Sequence, residues 1–238
     1  MTTPWLARND CSYNNRVAEK QQNQITLADA YNVLTPEDSL ELYAQWAPTY
    51  DKTFIEDTKY IYPAKITQVL AKHMPADRSF SVIDIGCGTG AVGAEIAKSR
   101  PLCMIDGVDI SPEMLAVAAS KVRSDGSKLY EDLHEADLTT SIHFAANHFD
   151  FFVSAGTFTF GHLGADELIN ALSVCRKGAT IVAGVNKQHW EFNDFSSRIT
   201  EAVNSKTITK PQYEEVDIYA EGSEHFGDKA LVVIFKKN

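Results

Sequence analysis

Gly86, Gly88 and Gly90 stand at alternate positions after the apolar run Val82-Ile83-Asp84-Ile85. This pattern predicts a strand, a glycine turn and a helix over Ala91 to Lys98. Such a corner binds nucleotide-like ligands, because glycine turns sharply and leaves bare amides for a ligand. The helix N-terminus adds partial positive charge. Gly86, Gly88 and Ala91 also satisfy the loose dinucleotide pattern G-x-G-x-x-G/A, so the glycines alone do not name the ligand. Cys87 between them reads as a small spacer. Asp84, two residues before the first glycine, reads as a side chain delivered to the ligand. A carboxylate there repels a pyrophosphate and suits a ligand carrying cations. S-adenosylmethionine meets both demands: its carboxylate suits the loop amides, and its ammonium and sulfonium suit Asp84.

Two further acids follow in order. Asp109 ends the run Ile105 to Ile110, about twenty residues past the glycine loop, where an acid can hold both ribose hydroxyls. Ser111 is placed to cap the next helix, with Pro112 at its first position and Glu113 in its first turn. Met114 then falls where an apolar side chain covers an adenine, with Ile110 beside the acid in the same contact set. Asp137, between Ala136 and Leu138, stands at a third strand end and is placed to accept from an adenine amino group.

This ordered set resembles the class I S-adenosylmethionine-dependent methyltransferases over roughly residues 40 to 238. Asp84 to Gly90 is similar to their first motif, Asp109 to the acid ending their second strand, and Asp137 to their adenine contact. The stretch Leu42-Tyr43-Ala44-Gln45-Trp46-Ala47-Pro48-Thr49-Tyr50-Asp51 resembles small methyltransferases that include the methyltransferase-like protein of the Williams-Beuren syndrome region. Lys59-Tyr60 and Pro63 also suit that group. The resemblance implies a doubly wound α/β fold, with a seven-stranded, mostly parallel sheet of order 3-2-1-4-5-7-6 and an N-terminal helical cap. It implies S-adenosylmethionine as cofactor, S-adenosylhomocysteine as product, and no metal. It makes Tyr43 and Tyr50 cofactor contacts and Trp46 a wall of the acceptor pocket.

The acceptor side follows the fourth strand, Phe149 to Ala155. Ser154 and Ala155 are small enough for close approach of the cofactor, and Thr157 and Phe158 can line the acceptor pocket. His162 is the candidate general base, since imidazole takes a proton near neutral pH. Trp190, after the fifth strand, is a candidate far wall. Methyl transfer is an in-line displacement that needs alignment and exclusion of water more than a covalent nucleophile. No Asn-Pro-Pro-Tyr-type stretch follows the fourth strand, where the chain reads Ser154-Ala155-Gly156-Thr157. That absence disfavours adenine and glutamine amino acceptors.

These residues need a scaffold, and 238 residues at 44% hydrophobic support one domain with a substantial core. The expected organisation is a flexible or cap-forming arm over residues 1–25, then one domain over 26–238, with 26–75 as helical cap. Trp5 and Tyr13 are unusual in a pure tail and can pack on the domain or on the partner of a homodimer. Helices are expected over Thr26 to Leu34, Thr35 to Trp46, Pro63 to His73, Asp166 to Arg176 and Trp190 to Val203. Further strands are expected over Ala179 to Val185, Tyr213 to Tyr219 and Ala230 to Lys236.

Composition narrows the partners. Twenty-two basic against 32 acidic residues leave a net charge of −10, which argues against nucleic acid, whose binding rests on Lys and Arg. No run of 18 apolar residues crosses a membrane. Cys11, Cys87, Cys103 and Cys175 form no C-x-x-C pair and read as reduced thiols of a cytoplasmic protein. The chain therefore reads as a methyltransferase for a small-molecule acceptor. A protein or RNA methyltransferase and a non-catalytic cofactor-binding regulatory subunit are the alternatives.

Overall fold

The run at Val82 becomes the central strand of the sheet. In a computed structural model, which describes residues 25–140, 142 and 147–238, β1 spans Ser81–Ile85 and is buried throughout. It is flanked by β2 (Met104–Asp109) and β4 (Phe149–Phe158), both parallel to it. β3 (Leu133–Glu135) extends one edge and β5 (Cys175–Asn186) the other, again in parallel. β6 (Gln212–Asp217) and β7 (Lys229–Lys236) close the sheet as an antiparallel addition, giving the order β3-β2-β1-β4-β5-β7-β6. This is the expected topology.

Side chains alternate along each strand, so the sheet sorts its apolar residues into two cores. Val82, Phe151, Val153, Val182 and Ile234 face one layer. Ile83, Ile85, Phe152, Ile181 and Val233 face the other. Helix α1 (Leu27–Tyr31), α2 (Pro36–Trp46) and a π-helical turn (Asp51–Glu56) form the cap. Thr35 caps α2, accepting from the Asp38 amide at 3.1 Å, and proline occupies the first turn as expected.

Several elements differ from the sequence reading. Helix α3 (Tyr62–His73) belongs to the sheet-packing layer and not to the cap, because Tyr62, Ile66, Val69 and Leu70 are buried in the first core. On the same layer lie α4 (Ala91–Ser99) and α5 (Pro112–Ser120). On the opposite layer, α6 covers only Ala165–Ala171, followed by one 3₁₀ turn at Leu172–Val174. β5 then starts at Cys175, because strand pairing with Phe149 overrides helical propensity. Gly178, at φ +81, sits where the register shifts within that pair, and closes no helix. The last helix is two, α7 (Lys187–Phe192) and α8 (Phe195–Asn204), broken at Asp194 with φ +49. The third strand ends at Glu135, two residues before Asp137. The arm expected over residues 1–25, with Trp5, Cys11 and Tyr13, lies up to residue 24 outside the described residues.

Candidate active site

A cavity of about 280 Å³ opens at the carboxyl ends of β1, β2 and β4, under the cap. This is where open α/β sheets bind ligands. The glycine loop forms its floor. Gly86, Gly88 and Gly90 all have positive φ, at +66, +52 and +91. A Cβ at Gly88 would meet nothing within 4 Å, whereas one at Gly86 would sit 2.0 Å from Thr157 Oγ1. Gly88 thus leaves the open cradle, and Gly86 lets β4 pass close by. Thr157 and Ser154 both donate to the Ile85 carbonyl, at 3.0 and 2.8 Å, which ties the two strand ends together.

Asp109 is placed as the sequence implied. Its Oδ2 accepts from the Gly88 amide at 2.8 Å and its Oδ1 from the Ser111 amide at 2.9 Å. These bonds do not exhaust the carboxylate lone pairs, and Asp109 lines the cavity where a hydroxyl can reach it. Burial raises its pKa, while the Ser111, Gly88 and Ile110 amides hold it down. Ser111 also caps α5, accepting from the Met114 amide at 3.2 Å. Ile110, Met114, Ala136 and Leu138 form an apolar slot beside the acid. Asp137 borders that slot and folds its Oδ1 back onto the Thr139 amide and hydroxyl.

Asp84 departs from the expectation. Alternation turns it, like Val82, onto the α4 side of the sheet, and it does not line the cavity. It is wholly buried, its Oδ2 accepts from the Tyr130 hydroxyl at 2.8 Å, and its Oδ1 has no hydrogen-bond partner among the described residues. Desolvation pushes its pKa up to about 7, while the Tyr130 hydroxyl and the Gly93 amide oppose the shift. The pair props the loop from below. A Cβ at Gly93 would lie 2.4 Å from the Tyr130 hydroxyl oxygen, and one at Gly90 would lie 3.0 Å from its ring. Gly90 therefore serves the loop by making room for Tyr130 and does not line the cavity. Ser154, bonded to Ile85, is likewise outside it. Trp190 is on the opposite layer, stacked on Phe195 with ring centroids 5.3 Å apart. It is no wall of the cavity, because α7 turns it toward α8. Cys87 lines the floor as a buried thiol, and burial and the neighbouring Asp109 and Asp84 push its pKa well up.

The cap closes the other half. Tyr43, Trp46, Tyr50, Phe54, Tyr60 and Tyr219 line it as a continuous aromatic surface. Trp46 is 2% exposed and its indole nitrogen donates to Thr53 at 2.9 Å, so it mainly clamps the cap. Ala155, Thr157, Phe158 and His162 face this half from the β4 end. A β-bulge at Gly156, φ +83, brings them there, since the register shifts between Ser154 and Phe158. Tyr31, Tyr60 and Tyr219 were not foreseen in the cavity wall. Tyr219 comes from the far end of the chain through a bridge to Tyr60, and no local pattern announces it. Asp51 was also missed: its Oδ1 accepts from the Thr89 hydroxyl at 2.5 Å and its Oδ2 meets Lys121 at 2.7 Å, latching the cap to the glycine loop.

Residues 82–178 match the family profile of a methyltransferase domain. Among solved structures, a putative S-adenosyl-L-methionine-dependent methyltransferase of Methanococcus maripaludis superposes with a TM-score of 0.55 at 21% identity, covering 82% of this chain and 93% of that one. The fold is that of S-adenosylmethionine-dependent methyltransferases. An uncharacterized methyltransferase of Emericella nidulans is 31% identical over 120 residues, 44% of this chain and 42% of that protein. Human methyltransferase-like protein 27 is 35% identical over 80 residues, 33% of this chain and 32% of that protein. The matched stretch spans less than half the length of these curated relatives. Other similar proteins are named for acceptors as different as tRNA, a release factor and demethylmenaquinone. The domain does not name the acceptor.

The residues present fit the cofactor. Gly88 offers a bare backbone cradle, Asp109 has lone pairs to spare, and an apolar slot with Asp137 at its rim lies alongside. Among the described residues no group of acids, His or Cys is arranged to hold a metal.

Proposed function

We propose that this protein is an S-adenosylmethionine-dependent methyltransferase acting on a small-molecule acceptor in the cytoplasm. The carrying observation is one covered cavity with two chemically distinct ends. The glycine loop, Asp109 and Asp137 line one end, and the cap tyrosines with His162 line the other. Asp109 would hold the ribose, and Ile110, Met114, Ala136 and Leu138 would flank the adenine. The bound cofactor supplies an electrophilic methyl group on a sulfonium. The chain's own work is to align the acceptor, keep water out beneath the cap and receive any proton the acceptor loses. The stretch Leu42 to Asp51, which supplies the cap aromatics, supports kinship with the small methyltransferases of the Williams-Beuren region group.

A macromolecular acceptor is the second reading, favoured by the relatives named for tRNA and release-factor methylation. Against it, no Lys or Arg among the described residues lines the cavity, and residues 154–157 lack the amino-acceptor signature. Calorimetry tests the cofactor: saturable binding of S-adenosylmethionine and S-adenosylhomocysteine is expected, and binding of NAD with neither of these overturns the reading. Labelled methyl transfer into an extract, partitioned into small-molecule, RNA and protein fractions, tests the acceptor. Label confined to RNA or protein overturns the small-molecule assignment.

A further inference from the structure

Both ring nitrogens of His162 are engaged, with partners of opposite kind. Nδ1 lies 2.9 Å from the Phe160 carbonyl, which only accepts, so Nδ1 carries the proton. Nε2 lies 2.9 Å from the Tyr43 hydroxyl and is therefore the acceptor of that bond. Tyr43 makes no other hydrogen bond through its hydroxyl among the described residues, so its oxygen can still accept one from a ligand. Tyr43 also stands at the junction of the two halves of the cavity. It belongs to the cap, it contacts the His162 ring at 5.8 Å between centroids, and it feels the charge of Asp109.

The chamber around this pair has no formal charge. Asp109 and Asp137, both at the cofactor end, are the charged side chains of the lining among the described residues. The cap presents aromatic faces instead. Tyr50 and Tyr60 line the chamber, and their hydroxyls make no hydrogen bond among the described residues. An anion entering this space leaves its hydration without gaining a counter-ion, whereas a flat neutral molecule gains ring contacts and hydroxyl partners.

We propose that the acceptor is an uncharged aromatic or conjugated molecule bearing a phenolic or enolic hydroxyl, and that Tyr43, backed by His162, takes the proton from that hydroxyl. The proposal rests on the methyltransferase reading above. In the step, the acceptor O–H bond breaks as a new O–H forms on Tyr43, while the original Tyr43 proton passes to His162 Nε2. The acceptor keeps the electron pair as an oxyanion, ready to form its bond to the methyl carbon. His162 becomes an imidazolium, with its Nδ1–H still on the Phe160 carbonyl. One proton moves over two sites and nothing else is consumed. Burial and the neighbouring Asp109 push the Tyr43 hydroxyl well up, and burial and His189 hold the His162 imidazole down, so Tyr43 stays protonated and passes a proton on only as it receives one. A phenol, near pKa ~10, gives up its proton far more readily than an aliphatic alcohol, nearer the ~16 of water, which is disfavoured. A neutral amine needs no such relay before attack, because its lone pair is already free. Tyr43 is the catalytic residue, and His162 acts through it. Among the described residues, the charged or titratable groups facing the pair are His189 beside His162, and Asp109, Tyr31 and Tyr50 beside Tyr43.

The test uses the full chain loaded with S-adenosylhomocysteine and three probes of one shape: 2-naphthol, 2-naphthoate and 2-naphthylmethylammonium. Calorimetry should show 2-naphthol binding at least tenfold more tightly than either ion. Tyr43→Phe should weaken 2-naphthol about tenfold, the loss of one hydrogen bond, measured on protein saturated with S-adenosylhomocysteine. With S-adenosylmethionine, formation of the naphthyl methyl ether should fall about 10²–10⁴-fold in Tyr43→Phe and in His162→Gln, in kcat more than KM. His162→Gln should also lose the rise of kcat through the imidazole range. No binding of 2-naphthol to the loaded protein, equal or tighter binding of an ion, or 2-naphthol affinity unchanged in Tyr43→Phe overturns the proposal. Failure to bind S-adenosylhomocysteine at all overturns the methyltransferase reading itself, and the two failures are read in separate titrations.

Discussion

Asp84 and Asp109 are both buried acids at strand ends, and they do opposite things. Asp109 accepts from backbone amides and lines the cavity. Asp109→Ala should therefore cost roughly 2–4 kcal/mol of cofactor binding, the value of charge-assisted bonds to two hydroxyls. Calorimetry with S-adenosylhomocysteine measures it. Asp84 faces Tyr130 instead, and burial lifts its pKa to about 7, from about 4 in the unfolded chain. A pKa raised on folding gives stability that is complete below about pH 4 and lost as pH rises through about 7. Asp84→Asn cannot ionise and escapes that loss. Between pH 4 and pH 8 the stability difference should move in favour of the Asn variant, by up to about 4 kcal/mol. Chemical denaturation of both proteins at the two pH values reads this difference, with the other titrating groups cancelling.

Two elements meet over the cavity floor, and each has a specific weak point. In the glycine loop it is Gly86, whose positive φ and contact with Thr157 both exclude a Cβ. Gly86→Ala should destabilise by about 1–3 kcal/mol. Adding Thr157→Gly should return part of that loss in a double-mutant cycle, because the two groups compete for the same space. In the cap the weak point is Asp51, which joins Thr89 of the loop to Lys121 after α5. Its removal should speed amide exchange across α2 and the π-helical turn by about tenfold or more, with little change in α3, whose apolar face is buried against the sheet. Cofactor binding should slow exchange in the same segments. Equal protection with and without cofactor would make the cap a fixed wall.

At the scale of the whole molecule, ligand and fold are coupled, because the cavity draws on β1, β2, β4, the cap and the far end of the chain at Tyr219. None of these holds the site together in an unfolded chain, so a ligand that binds here stabilises only the native state. At about a hundred times its dissociation constant, S-adenosylhomocysteine should add about 2.7 kcal/mol, a rise of roughly 5–10 °C in Tm for a domain of this size. NAD at the same concentration should leave Tm unchanged. Thermal melts with and without each ligand decide it.

Much of this molecule was legible along the chain, for a local reason. Strand alternation, glycine spacing and helix caps depend on neighbours within a few residues. The central corner, the Ser111 cap, Asp109 at its strand end and the seven-strand order implied by the resemblance all appear where the sequence put them. What depends on which face a side chain takes, or on distant partners, was decided by tertiary structure. Alternation sent Asp84 under the loop to Tyr130, 46 residues away in sequence. Packing of α7 against α8 carried Trp190 to the wrong layer for an acceptor wall, and pairing with β4 drew β5 back to Cys175. The Tyr43–His162 bond joins residues 119 apart. A loop histidine and a cap tyrosine carry no sequence signal of each other, because only the folded sheet, with its bulge at Gly156, brings them within reach.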